Sequence, residues 1–327
     1  MTEEFSLRNP TFSIIIPCKT IGVYELECIA GCSRLNYKNF EVLILPDTAS
    51  SLELEDPRFR VAPTGHKRPS AKRNLGIRLA SGEIIAMIDS DAYPDKYWLT
   101  NALKYFRDRT VAGVGGPSLT PEEDNLRQKA TGAILGSRIA TGKLACRYTP
   151  SKLAVDDDLP TCNLMIRKAI FERLGGFNVD YWPGEDTYLC LQITKGLGMR
   201  IVYSPDVVVY HHRRPLFLPY LRQIWSYGLH RGFFAKRYPE TSRRPLYFAP
   251  SMLLVGLVSG IPLSLMNFVL GVAFVALASV YLAMCLFEGL KTRNLKLLPL
   301  VFSGVISTHL TYGAAFLKGL LVRRIRE

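Results

Sequence analysis

The chain has 327 residues, enough for one large domain or two ordinary ones, and its 41 Lys and Arg against 28 Asp and Glu leave a formal net charge of +13. That balance points to phosphates or an anionic membrane surface as neighbours. The seven cysteines are odd in number and scattered, with no CxxC pair, which excludes a zinc site and a disulfide framework and suits reduced thiols in a cytosol-facing domain. The opening MTEEFSLRNPTF has no apolar core, so no secretory signal is expected.

Residues 12–17 (FSIIIP) are a short apolar run closed by proline, the pattern of a buried strand. Residues 24–35 have helical character, with Cys28 and Cys32 as packing residues. Residues 40–45 (FEVLIL) predict a second strand that ends at Pro46-Asp47. Residues 70–80 predict a helix with Leu75 and Leu79 on one face and Arg and Lys on another, with Lys72 a candidate phosphate-binding cation but more readily a surface lysine. A third strand is expected over 83–88, a helix over 97–106, and a strand over 111–114 before Gly115-Gly116-Pro117. Shorter strands follow at 164–166 and 201–203, with a helix near 170–174 between them. Strands alternating with helices predict an α/β fold: a Rossmann-like, mostly parallel sheet covered on both faces.

The third strand carries the sharpest signal. Its apolar run EIIAMI stops abruptly at Asp89-Ser90-Asp91. Ionised carboxylates beside an apolar core need a partner. A hard divalent cation carrying phosphates suits them, because Mg²⁺ takes one or two carboxylates plus substrate phosphates. Strand ends of open α/β sheets are also where ligands bind.

Composition changes near residue 213. Residues 213–244 hold eight Lys or Arg and one acid, Glu240, with interleaved aromatics. Residues 245–287 then hold no charged side chain. Two stretches, 246–265 and 268–287, are each long enough to cross a bilayer, and a third, 297–317, holds only His309 as an ionisable group. The chain therefore divides into 1–212, a basic and aromatic interfacial segment 213–245, and a membrane region 246–327 with two or three transmembrane helices. Placement of Lys and Arg puts 213–244 in the cytoplasm and returns Lys291, Arg293 and Lys296 there after a hairpin. If the third stretch also spans, the tail with Arg323, Arg324 and Arg326 lies outside. If it is re-entrant or interfacial, the tail stays inside.

These pieces resemble glycosyltransferase family 2, the inverting transferases of the glycosyltransferase-A fold. The resemblance rests on FSIIIP, EVLILPDTAS, AKRNLGIRLASG, IIAMIDSDAYPDKYWL, LMIRKAIFERLGGFN and GEDTYLCLQITKGLGMRIVYSPDVVVYHH, in the family's order across residues 12–212. The closing region, HHRRPLFLPYLRQIWSYGLHRG followed by apolar spans, looks like membrane-bound members that build exopolysaccharides and glycolipids, with succinoglycan-type glucosyltransferases the nearest subgroup.

The resemblance implies roles residue by residue. Asp89 and Asp91 match the DxD motif, with Asp89 near the nucleotide ribose and Asp91 on a Mn²⁺ or Mg²⁺ that the diphosphate shares. Asp47 stands where the family has an acid that bonds the nucleobase, here preceded by Pro46 instead of a second acid. Pro17 would shape the nucleotide pocket, and Arg73 matches the arginine of the RNxG helix. Asp186 in the ED motif would be the base that takes the acceptor hydroxyl proton, and Glu185 would position the acceptor or its loop. His211, or second His212, would supply a further metal ligand. Gln223, Trp225 and Tyr227 occupy the place of the QxxRW pattern of processive synthases without matching it, which argues for non-processive transfer and for an amphipathic interfacial helix facing the acceptor. Asp156-Asp157-Asp158 are expected in a solvated loop, and residues 122–148 in a helical insertion near the acceptor site.

Taken together, the resemblance implies a multi-pass protein of the cell membrane with a cytoplasmic catalytic domain. It would move a sugar from a nucleotide-sugar, UDP in the simplest case, to a polysaccharide, glycan or lipid-linked acceptor. Its other partners would be membrane lipids and polysaccharide-assembly proteins. The alternative is a catalytically silent scaffold of such a complex with the same fold. Nucleic acid is not an expected partner, because the basic excess abuts apolar spans and suits lipid headgroups better than a duplex.

Overall fold

The structure, a computed structural model, describes residues 9–49 and 54–325. Ser50 of the second strand-end motif, Arg326 of the basic tail and most of the N-terminal stretch lie outside the described residues. In chain order the first elements are β1 (Phe12–Pro17), α1 (Val23–Ser33), β2 (Phe40–Leu45), β3 (Phe59–Val61), α2 (Pro69–Leu79), β4 (Ile84–Ile88), β5 (Ala92–Pro94), α3 (Trp98–Leu103), β6 (Val111–Gly115) and β7 (Ser118–Leu119). Then come α4 (Leu126–Leu135), α5 (Arg138–Thr141), β8 (Ala154–Asp156), β9 (Asn163–Arg167), α6 (Lys168–Arg173), α7 (Glu185–Leu191), β10 (Arg200–Tyr203) and β11 (Val209–His211). The chain closes with α8 (Leu218–Arg237), α9 (Pro239–Ser242), α10 (Pro245–Met266), α11 (Phe268–Lys291) and α12 (Leu298–Leu321).

The described residues form two units. One holds the chain up to Leu119 together with Thr149–His211, and the other holds Thr120–Tyr148 together with the chain from His212 onward. The expected first segment, 1–212, is therefore not one continuous body. Residues 120–148, with 122–148 expected as a helical insertion near the acceptor site, belong with the C-terminal helices.

The sheet unit is built on the apolar runs. An eight-stranded sheet has the order β3-β2-β1-β4-β9-β6-β10-β8. Strands β3, β2, β1 and β4 are mutually parallel, as are β6 and β10. Strand β9 lies antiparallel between β4 and β6, and β8 lies antiparallel on the edge. The central strands β1 and β4 are buried at every position, as expected for strands covered on both faces. The helix expected over 97–106 is split, because α3 tightens into a 3₁₀ turn over Lys104–Arg107. A second sheet, β5-β11-β7, is formed by short segments that leave the ends of the main strands.

In the helical unit, α4 starts at Asn125, whose side chain accepts hydrogen bonds from the Arg127 and Gln128 N–H groups at 3.0 and 3.1 Å. Its apolar face joins Leu216, Tyr220, Ile224, Val301 and Val305 in one buried cluster. Helices α8 and α12 touch at backbone distance: a Cβ on Gly232 would stand 2.1 Å from the Phe316 carbonyl oxygen, and one on Gly319 2.2 Å from that of Leu229. Three helices, α10, α11 and α12, are long and apolar enough to cross a membrane.

Candidate active site

Strands β1, β2 and β4 run parallel, so Pro17, Leu45 and Ile88 end on one edge of the sheet. Asp47 and Asp89 extend from that edge. Helix α2 packs across β1 and β2 and carries two consecutive cations, Lys72 and Arg73, both buried. The surface position expected for Lys72 is wrong. Its side chain is 2% exposed, and its ammonium donates to the Cys18 carbonyl, the Leu45 carbonyl and the Asp47 carboxylate. It caps the ends of two strands at once. The Lys72 ammonium and, less strongly, His66 hold the Asp47 carboxyl below its ordinary range; His66 Nδ1 lies 2.7 Å from the second Asp47 oxygen. Cys18, beside this pair, is pushed up to about 12 by burial and then by Glu25, so it stays a neutral thiol and not a nucleophile.

Arg73 bridges two acids that lie far apart in sequence. Its Nη2 donates to Asp89 Oδ1 at 2.7 Å and its Nη1 to Glu185 Oε1 at 3.1 Å. Its Nε has no hydrogen-bond partner among the described residues, and the guanidinium lies 5.9 Å from the Phe177 ring centroid. Glu185 opens α7, directly after Gly184, whose φ of 117° is open to glycine. Burial and then the neighbouring Asp186 push the Glu185 carboxyl up to about 7, outweighing Arg73. Asp186 Oδ1 accepts from the Thr187 N–H at 2.7 Å.

The second sheet explains the next contact. Register pairs His211 on β11 with Ala92 on β5, one residue beyond Asp91. His211 Nε2 accordingly lies 3.0 Å from Asp91 Oδ1. Asp89, Asp91 and His211 each offer one ligand atom, and these atoms lie within 4.8 Å of one another. Two carboxylates and an imidazole are a competent donor set for Mn²⁺ or Mg²⁺, so the residues fit such an ion. His212 is turned elsewhere: its Nδ1 donates to Asp124 Oδ1 at 2.5 Å, within the helical unit.

Asp158 corrects the reading of the acidic run. It is buried and accepts from Thr187 Oγ1 at 2.8 Å, which ties it to the first turn of α7. Neither Lys72 nor Asp158 had a sequence signal beyond lying next to a motif residue. Gln223, Trp225 and Tyr227 lie on α8, in the helical unit. Gln223 Nε2 donates to the Tyr227 hydroxyl at 2.8 Å, and the Lys318 ammonium lies 5.5 Å from the Trp225 ring.

Residues 13–175 match the family model described as glycosyl transferase family 2. The pre-mycofactocin glycosyltransferase of Mycobacterium tuberculosis is 27% identical over 195 residues, 60% of this chain and 40% of that protein. Much of that relative therefore has no counterpart here. The glycosyltransferase GlyG of Streptococcus pneumoniae serotype 4 is 30% identical over 218 residues, 62% of this chain and 70% of that protein. Among solved structures, the mannosyltransferase PcManGT from Pyrobaculum calidifontis, in complex with GDP-Man and Mn²⁺, aligns with a TM-score of 0.56 at 19% identity. That likeness covers 96% of this chain and 88% of the mannosyltransferase, and it is one of fold. The chain belongs to glycosyl transferase family 2, as a glycosyltransferase of the glycosyltransferase-A fold.

Proposed function

We propose that this glycosyltransferase is anchored in the cell membrane and moves a sugar, with inversion, from a nucleotide-sugar to the hydroxyl of a glycan, polysaccharide or lipid-linked acceptor. The observation that carries the reading is Arg73, a buried cation shared between Asp89 of the strand-end acid pair and Glu185 of the ED pair. It ties the donor side of the site to the acceptor side. Asp47, held ionised by the buried Lys72, offers a carboxylate acceptor at the sheet edge, suited to the N–H of a nucleobase. Pro17 closes the end of β1 beside them.

Asp89, Asp91 and His211 would hold a divalent cation. Once bound, that ion supplies positive charge next to the departing diphosphate. Asp186 takes the proton from the acceptor hydroxyl. The hydroxyl oxygen forms its bond to the anomeric carbon as the bond to the diphosphate oxygen breaks, and the electron pair leaves with the nucleoside diphosphate. Glu185, with its raised affinity for a proton, positions the loop through Arg73 while Asp186 acts. The relative in complex with GDP-Man and Mn²⁺ supports a nucleotide-sugar donor and a divalent ion, while the family resemblance favours UDP. Three apolar helices and the basic flanks at Arg243-Arg244 and Lys291 support membrane anchoring with the catalytic unit facing the cytoplasm.

The test is donor binding and turnover on detergent-purified protein, with UDP-, GDP- and dTDP-sugars, each with Mn²⁺, Mg²⁺ or chelator. Metal-dependent binding of one donor is expected. Asp91→Ala should abolish metal-dependent turnover. Asp186→Asn should bind donor as the parent does and lose transfer; undiminished turnover in it sinks the base assignment.

A further inference from the structure

Length and apolarity make α10, α11 and α12 look alike, but their surroundings differ. In α10 and α11, 6% of the apolar window is buried within the protein; in α12 the share is 44%. The apolar side chains of α10 and α11 face outward along their length, as with Val258 and Val275, 68% and 62% exposed. Those of α12 are spent on a protein neighbour.

The most extensive neighbour of α12 is α8, and the two helices run side by side in the same direction; α12 also meets α10, where Ser251 Oγ donates to the Gly313 carbonyl at 3.0 Å, and α11 at Tyr281. Near the start of α8 and midway along α12, the Tyr220 hydroxyl and Thr308 Oγ1 are 2.9 Å apart. In the middle, Gly228 meets Tyr312, and Gly232 meets Phe316 at backbone distance. At their ends, the Lys236 ammonium donates to the Leu320 and Val322 carbonyls at 2.9 and 2.6 Å. A turn of α12 is thus matched to a turn of α8 from Thr308 to Val322, and the two helices must share one depth in a bilayer.

Helix α8 cannot take a spanning depth. Along the matched stretch it carries Arg222, Arg231, Lys236 and Arg237, with His230 among them. A crossing by α12 would drag these cations through hydrocarbon, where charge is strongly penalised. The same residues suit the headgroup layer. Lys236 and Arg237 are exposed, as are Trp225 and Tyr227, and aromatic rings beside basic groups are the composition of membrane interfaces.

On the membrane-anchored reading above, we infer that α8 and α12 lie together in the headgroup layer as one in-plane platform, and that α10 and α11 alone cross the bilayer as a hairpin. The chain enters α10 after Arg244 and leaves α11 at Lys291, and the turn between them, Met266-Asn267-Phe268, is uncharged and exposed. The C-terminus then returns to the face from which α8 begins. The open choice for the third apolar stretch resolves to the interfacial one.

The test uses the full-length chain in sealed membrane vesicles of defined orientation, with an epitope at each end and Met266→Cys as a probe of the turn. Met266 is 82% exposed, so the substitution leaves packing intact. Among the described residues no helix before α8 is a candidate span, so the N-terminal epitope marks the face where α8 starts. Protease added to that face should remove both epitopes, and an impermeant maleimide should label the introduced thiol, above the parent's background, only from the other face. A C-terminal epitope lost from the same face that labels Met266→Cys overturns the in-plane placement of α12 and leaves the anchoring intact. Labelling of Met266→Cys from the face of the N-terminal epitope overturns the crossing hairpin. Release of the protein by alkaline carbonate overturns the anchoring itself, and this inference with it.

Discussion

At the sheet edge, Lys72 and Arg73 are buried and meet carboxylates: Asp47 for the first, Asp89 and Glu185 for the second. Along the seam of α8 and α12, Tyr220 is equally buried but meets the neutral hydroxyl of Thr308, and elsewhere on α12 His309 lies between the Tyr281 hydroxyl of α11 at 3.0 Å and the Ile139 carbonyl of α5 at 3.1 Å. Neutral pairs complete themselves and ask for nothing further. Buried charges cost several kcal/mol each in order-of-magnitude terms and are repaid only by very good geometry or by a ligand. On the proposed function, the sheet edge keeps that expensive arrangement where a charged diphosphate would arrive. The helical seam, which has only to hold two helices together, avoids it.

The strongest way to break this contrast is Arg73→Ala. It leaves Asp89 and Glu185 without their shared cation, and should lower stability by about 3–5 kcal/mol and kcat/KM by roughly 10²–10³-fold. Thermal unfolding and donor turnover measure the two effects. Arg73→Lys should recover part of the stability but less of the activity, because one nitrogen cannot stand in the two places from which Nη1 and Nη2 reach Glu185 and Asp89. If Arg73→Ala unfolds and turns over like the parent, the bridge carries neither function.

Glu185→Gln sharpens the comparison through pH. The Glu185 carboxyl is raised to about 7 in the folded protein, so the folded state holds its proton more tightly than the unfolded chain. Its stabilising contribution is present below its ordinary value of 4.5 and is lost as pH rises through about 7. The parent should lose roughly 1–3 kcal/mol from this group between those limits, and Glu185→Gln should flatten that part of the stability profile. An unchanged slope in the variant would assign the pH dependence to another group.

On the helical side the expected effects are smaller. Gly232→Ala places a methyl 2.1 Å from the Phe316 carbonyl oxygen and should cost about 1–3 kcal/mol as α8 and α12 part. Donor binding should be untouched, which a nucleotide titration checks. Tyr220→Phe removes one neutral hydrogen bond and should cost about 0.5–1.5 kcal/mol. A larger loss there would mean that the seam depends on polarity as much as the sheet edge does.

Much of the sheet was legible, because buried strands announce themselves as apolar runs such as FSIIIP and FEVLIL, and IIAMI ends at its acids. The resemblance paired Asp91 with His211 but placed Asp89 near the ribose, whereas its carboxylate joins their cluster. Lys72 was not legible: a lysine on a helix with mixed faces looks the same whether its ammonium meets water or two strand ends. Asp158 was hidden for the same reason, since its partner Thr187 lies on another element. Residues 120–148 read as helical, but their apolar faces match partners such as Val301 and Val305 far along the chain, and no local pattern names a distant partner. The interfacial fate of α12 is the extreme case, because its own sequence satisfies the length rule for a span and only α8 argues otherwise.

Helix α2 sets one further condition on this family member. Lys72 and Arg73 are neighbours in sequence yet point to different acids, one at the end of β2 and one after β4. Gly76, where a Cβ would fall 2.7 Å from Leu45 and 3.0 Å from Ile15, lets the helix press onto the strands, and Asn74 pins it to the Phe177 backbone at both carbonyl and N–H. The rotational phase of α2 is therefore shared by both cations. A change in the 62–68 connection that turned the helix by a single residue, about 100°, would part Lys72 from Asp47 and Arg73 from Asp89 and Glu185 together. Drift in that loop is tolerable in length and composition only while the phase is kept, so the two sets of ion pairs are inherited as one mechanical part.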